Sequence, residues 1–209
     1  MRDGGVAVSF TPDLATGTFT LVSAAQGRVT CDVQGAKPSG TWLQSAKQII
    51  PVLAAKVGLS INSTDIELPE YLLGLYINDE STLSSVLDQI AISLMGYWRH
   101  TRFGQFEFKA LPVSADNPTK TLHGDDIKIG SWTPQTELPP VVKVEVGYQR
   151  NYTQQPDGLF GSVSTQWRDL FARLELLAEA TNTLPQHPEA EPYYLSSLLV
   201  EQSDAQAIA

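Results

Sequence analysis

The chain has 209 residues, 42% of them hydrophobic and 18% charged, which suffices to bury a core and argues against global disorder. Its net charge of −9 lies mostly in the second half: residues 1–110 carry 8 Lys and Arg against 10 Asp and Glu, and residues 111–209 carry 6 against 13. With no basic run, this surface repels phosphate and excludes a dedicated nucleic-acid binder; a lone Cys31 excludes an intrachain disulfide or thiolate zinc site, and no 18-residue apolar run exists to form a membrane-spanning helix.

Met1-Arg2-Asp3-Gly4-Gly5 lacks the apolar stretch of a secretion signal, so the protein is expected to stay in the cell that makes it. Residues 6–34 read as β. Val6, Val8 and Phe10 alternate with smaller or polar neighbours, and Thr18–Val22 and Arg28–Val33 are further β-rich runs between turn residues. Residues 39–59 carry a helical stripe of Trp42, Ala46, Ile49, Ile50, Leu53 and Val57, with Ser39 as expected cap and Gly58 as stop. Pro51 inside it is expected to kink or split the helix. Residues 82–95 give the cleanest helical face, Leu83, Val86, Leu87, Ile90, Ala91 and Leu94, between Ser81 as N-cap and Gly96 as stop. A hairpin turning at Arg102-Phe103-Gly104 follows, with Phe106, Phe108 and Ala110 on one face and Gln105, Glu107 and Lys109 on the other. Val142, Val144, Val146 and Tyr148 mark a half-buried strand over 141–149, entered through Pro139-Pro140. The 82–95 helix is expected on a sheet that includes 105–110 and 141–149. Beyond it, Trp167, Leu170, Phe171, Leu174, Leu177 and Ala178 read as a helical stripe. A loop with Pro185, Pro188 and Pro192 follows, then a short helix or turn at Tyr194–Leu199 and a helix start at Ser203–Ala207. The fold class that emerges is α+β, antiparallel β segments with helices packed on a sheet, plus a helical C-terminal segment.

Candidates for chemistry are few. His100, His123 and His187 have no histidine partner at helical ligand spacing. His123-Gly124-Asp125-Asp126 could hold a divalent cation, but Gly and Asp in this order are ordinary turn residues, and a turn is the favoured reading. Asp65 and Glu67 could pair for acid–base work; nothing in the sequence around them shows a perturbing environment, so they read as solvated. Cys31 in its β run reads as a small packing residue. Tyr97 and Trp98, beside Phe103 and Phe106 and with Trp132 further on, could stack on a sugar or base; the favoured reading is that the rings cover a helix on the sheet. No phosphate loop, nucleophile elbow or zinc-protease motif occurs. No catalytic, cofactor-binding or metal-binding residue is assigned, no cofactor is expected, and the chain is read as a non-enzyme.

The segments Thr11–Leu21 and Gly27–Gly35 resemble the β-segment that precedes a helical insertion in tail hub and tail-tip proteins of tailed bacteriophages and prophages. Ser81–Leu111, with its helix, Gly96-Tyr97-Trp98, the Arg102-Phe103-Gly104 turn and Phe106-Glu107-Phe108, resembles the same proteins. Val144–Thr153, containing Tyr148-Gln149-Arg150-Asn151-Tyr152-Thr153, is similar to the strand that closes that domain, and Asp204-Ala205-Gln206-Ala207 fits the helix downstream. The motifs follow the family's order. The resemblance implies a structural virion role in the tail, made in the bacterial host cytoplasm, with other tail and baseplate proteins as partners. It also implies a homo-oligomeric ring, a trimer, on the tail axis. It divides the chain into an incomplete hub β-domain at 1–35, an α+β hub domain at 36–158 and a helical segment at 159–209, and it leads one to expect a section of a longer protein. The alternatives are a glycan- or receptor-binding module resting on Tyr97, Trp98 and Trp132, and a cell-wall hydrolase using Asp65/Glu67 or the His123 region.

Overall fold

A computed structural model describes residues 2, 3, 6–13, 15–27, 29–112, 121–128, 130, 133, 141–155, 165–181 and 190–209. The β-rich start forms β1 (Arg2–Asp3), β2 (Val6–Ala7), β3 (Phe10–Asp13), β4 (Thr18–Leu21) and β5 (Val29–Thr30). β1 pairs antiparallel with β2 and with β5, while β3 and β4 form a separate hairpin. The hairpin loop is set by side-chain chemistry. Asp13 Oδ1 accepts from the backbone N–H groups of Ala15 (3.0 Å) and Thr16 (3.4 Å), and Gly17 takes a positive φ of 68°. Phe10 and Phe19 meet edge to face across the two strands. Among the described residues, none before Ala46 is buried.

The body starts at α1 (Ala46–Lys56), which buries Ala46, Ile49, Ile50 and Ala54. Gln48 Oε1 accepts from the backbone N–H groups of Gln44 and Ser45 at the helix start. The expected cap at Ser39 is instead part of a separate 3-10 turn at Pro38–Gly40. α1 runs unbroken through Pro51; it forgoes one backbone bond there and is held by its buried face. After β6 (Ile66–Glu67) comes α2 (Leu83–Ser93), capped by Thr82, whose Oγ1 accepts from Ser85 N–H at 3.2 Å. Met95, not Gly96, takes the left-handed conformation beyond its end (φ 47°). Gly96 serves close approach instead, since a Cβ there would lie 2.8 Å from Leu68 Cδ2 and 2.9 Å from the Lys109 carbonyl. β7 (Gly96–His100) and β8 (Phe106–Ala110) form the hairpin that the alternating sequence implies, and β6 joins β8 in parallel. Trp98, Phe106 and the fully buried Phe108 share one face. α2 is held against β7 there by Trp98 Nε1, which donates to Asp88 Oδ1 at 2.7 Å.

The remaining elements are β9 (Lys143–Tyr148), α3 (Thr165–Ala172), β10 (Leu176–Thr181), β11 (Tyr193–Ser196) and α4 (Gln202–Ile208). β9 is the centre of a second three-stranded sheet, antiparallel to β10 and parallel to β11. Residues 105–110 and 141–149 therefore belong to two sheets rather than one. The C-terminal stretch is also less helical than the sequence pattern suggests. The stripe read through Leu174, Leu177 and Ala178 stops at Ala172, because Leu176, Ala178 and Ala180 also alternate with period two. The strand gains a ladder to β9 and buries Ala178 against Val146. Tyr193–Ser196 is a strand for the same reason, with Leu195 inward opposite Val146. α4 packs on this sheet through the fully buried Ala205. The two sheets share one core, reaching from Ile50 of α1 through Leu87 and Ile90 of α2 to Val146, Leu195 and Leu199. Their junction is an irregular bridge. Leu73 opposes Leu199, Gly74 N–H donates to Leu198 carbonyl (2.7 Å) and Val200 N–H donates to Leu72 carbonyl (3.1 Å). Buried Ser93 Oγ accepts from Leu198 N–H at 2.9 Å and donates to Gln89 carbonyl at 2.7 Å. No helix among the described residues is long and apolar enough to cross a membrane.

Candidate functional site

The candidate carboxylates Asp65, which ends a 3-10 turn before β6, and Glu67, the last residue of β6, line an open groove of about 420 Å³ with Asn62, Thr101, Glu107 and Lys109. The groove arises where β6 runs parallel to β8, placing Glu67 beside Lys109. Its charges are matched in place. Asn62 Nδ2 donates to Asp65 Oδ2 (3.3 Å), Lys109 pairs with Glu67 at 3.4 Å, and Glu107 accepts from Arg99 Nε. These are open, solvated pairs, and the groove's lining holds no histidine or cysteine.

Tyr97 and Trp98 do not form a common platform. Adjacent strand residues point to opposite faces: Trp98 stacks on Phe106 (6.3 Å between centroids, 23° between planes) under α2, and Tyr97 lies on the other face beneath Arg99. Phe103 projects from the hairpin turn. Trp132, His187, Pro139, Pro140, Pro185 and Pro188 lie outside the described residues, as does the side chain of Trp167. His123 begins a one-turn 3-10 segment, Gly124–Asp126, whose Asp126 carboxylate accepts from the backbone N–H of His123 itself (3.0 Å). One carboxylate of that cluster is thus occupied in closing the turn. Cys31 is exposed.

The most organised surface is elsewhere, at the Tyr148–Thr153 motif. Gln149 takes a positive φ of 51°, and its N–H donates to Leu199 carbonyl (2.9 Å), so the chain leaves β9 in a sharp turn. That turn delivers Asn151 and Gln154 to the C-terminal end of α3. Asn151 Nδ2 donates to the carbonyls of Phe171 (3.0 Å) and Arg173 (3.3 Å), and Gln154 Nε2 donates to Ala172 carbonyl (3.1 Å). Three carbonyls at the helix end are satisfied this way. Tyr152 reaches in the other direction, its hydroxyl donating to Gly74 carbonyl at 2.6 Å and its ring meeting Tyr76 at 5.4 Å. The Arg150 guanidinium covers the Tyr152 ring at 5.6 Å.

Beside this turn, Glu175 folds its carboxylate over Gly147. Its Oε1 accepts from Ser196 Oγ at 2.7 Å, while buried Oε2 has no hydrogen-bond partner among the described residues. Burial raises the Tyr152 phenol above its ordinary value of 10.0. Burial, then the hydrogen bond to Glu175, does the same for Tyr194. Arg150 and Glu175 act electrostatically on both phenols, which places all four side chains in one neighbourhood. Tyr76, Tyr152 and Tyr194 all leave a large part of their rings exposed. Contact surfaces are rich in such tyrosine and arginine side chains. Sequence reading singles out the motif but not the patch, because residues 76, 152 and 194 come together only through the Leu72–Val200 bridge. Among the described residues, no three His, Cys, Asp or Glu side chains gather as a metal site. No family model matches the chain, and no curated protein or solved structure does.

Proposed function

We propose that this chain is a structural subunit of the tail hub or tail tip of a tailed bacteriophage, assembling with copies of itself around the tail axis and carrying no catalytic activity. The single observation that supports an assembly role is the condition of the first 45 residues: five strands in two small sheets, with no buried residue among those described. A lone hairpin is marginal in water, and unpaired sheet edges are templates for another chain. Strands of this kind gain stability by docking. The specific tail role rests on the motif resemblance, which supplies the ring and its trimeric order.

The test is the mass of the purified chain by light scattering, together with its location in purified virions by antibody labelling. The expected results are a multiple of 22.8 kDa, three for a trimer, and label at the tail tip. A monomer at every concentration, with no apolar surface detectable by dye, overturns the assembly role. Cell-wall hydrolysis abolished by Glu67→Gln overturns the non-catalytic one.

A further inference from the structure

Two surfaces of this molecule are complementary and have no partner among the described residues. The first is the β3–β4 hairpin. It exposes Phe10 and Phe19, 41% and 44% accessible although they touch each other, and carries Asp13 at its turn. The second is the patch of Tyr76, Tyr152 and Tyr194 around Arg150. Among the described residues Arg150 forms no ion pair, and its guanidinium lies over the Tyr152 ring. We propose that the β3–β4 hairpin of one copy docks on the Tyr76–Tyr152–Arg150 patch of a neighbouring copy, with Asp13 facing Arg150 and the phenylalanine pair against the tyrosine rings.

Charge selects this occupant. Residues 1–45 hold Arg2, Arg28 and Lys37 against Asp3, Asp13 and Asp32, so the whole net charge of −9 lies beyond them. Two acidic bodies repel each other when they meet face to face. The N-terminal segment, neutral as a whole, approaches such a body without that cost, and the hairpin's one charge, the Asp13 carboxylate, finds a guanidinium that has no ion-pair partner among the described residues. The rings supply the apolar area that a charge pair at a wet rim cannot. The contact joins different surfaces of successive copies, which is the head-to-tail geometry a closed ring requires. It rests on the assembly reading above and names its interface.

The experiment uses the full chain with Tyr76 replaced by photoreactive benzoylphenylalanine, an exposed position where a ring replaces a ring. Equal amounts of isotopically light and heavy protein are mixed and irradiated, and crosslinked peptides are identified by mass spectrometry. Mixed light–heavy crosslinks from position 76 to residues 8–22 are the expected result. In parallel, Arg150→Glu is expected to weaken self-association on the order of thirtyfold, and Phe19→Ser to weaken it comparably, both without changing the circular dichroism spectrum. Mixed crosslinks that land only outside residues 8–22 overturn this interface while leaving assembly standing. Crosslinks confined to one chain, in a protein of monomeric mass, overturn both. Unchanged association in Arg150→Glu and Phe19→Ser also overturns the interface.

Discussion

Gly147 lies in the middle strand of the second sheet, between Leu177 and Ser196, and any side chain there would occupy the space of the Glu175 carboxylate. Gly147→Ala is expected to expel that carboxylate and break its bond to Ser196, lowering stability by about 1–3 kcal/mol. Chemical denaturation measures this, and most of the loss should vanish in a Glu175→Ala background. The strand pattern places Gly147 only on the face opposite the valines; the group that crowds it lies 28 residues later in the chain, where no local pattern points to it. The Tyr152 phenol makes a second prediction. Burial raises its pKa above 10.0, so the native state holds the proton more tightly than the unfolded chain. The resulting stability is full below pH 10 and is lost as pH rises through the native value. Melting temperature between pH 8 and 11 should therefore fall less steeply in Tyr152→Phe than in the parent. The failure of Tyr97 and Trp98 to act together is a residue-scale lesson of the same kind: neighbours in a strand face apart, which the alternation already contained.

At the scale of elements, the buried face of α2 was legible, although Thr82 rather than Ser81 caps it and Met95 rather than Gly96 turns the chain at its end. Its apolar face repeats at the helical period, and Val86, Leu87, Ile90 and Ala91 are buried as that period requires. Leu87 is 2% exposed; Leu87→Asp places an unpaired charge in the core and is expected to unfold the body, seen as loss of the cooperative melt. Ser93, on the same helix, reads as polar and unremarkable in sequence, yet its hydroxyl is the acceptor for Leu198 N–H. Ser93→Ala is expected to cost about 1–3 kcal/mol by orphaning that buried donor, measured by denaturant titration. The stripe's end, Leu174, Leu177 and Ala178, lies beyond the helix, because leucine and alanine satisfy both periods over so short a run. The ladder to β9 and the carbonyl-capping turn at Asn151 end α3 at Ala172, and both partners are remote in sequence. Pro51 shows the same override in reverse: a local breaker is tolerated where Ile49, Ile50 and Ala54 are buried around it.

For the whole molecule, the α+β class and the β-rich start follow from pattern and composition, whereas the exposure of those first strands and the division into two sheets do not. Alternation shows that β8 and β9 each have one buried face, but it carries no information about which strands are neighbours. The body begins at α1, so removing residues 1–37 is expected to leave its melting temperature within a few degrees of the parent. The same deletion should abolish self-association in light scattering. A large fall in melting temperature would show that the strands support the body after all.

The Ser93–Leu198 bond joins residues 105 positions apart, and this has a consequence for the order of events at the ribosome. α1, α2 and the first sheet are synthesised well before Leu195, Leu198 and Leu199, which seal their shared core. Until those residues emerge, Leu73, Ile90 and Leu94 have no lid, and closing so long a loop is slow. The nascent chain must wait with an open hydrophobic face. The proposed docking patch would be complete only after this late closure, because Gly74, which anchors Tyr152, is itself held in place by Leu198. In the proposed assembly, docking would wait until residues 195–200 have left the ribosome.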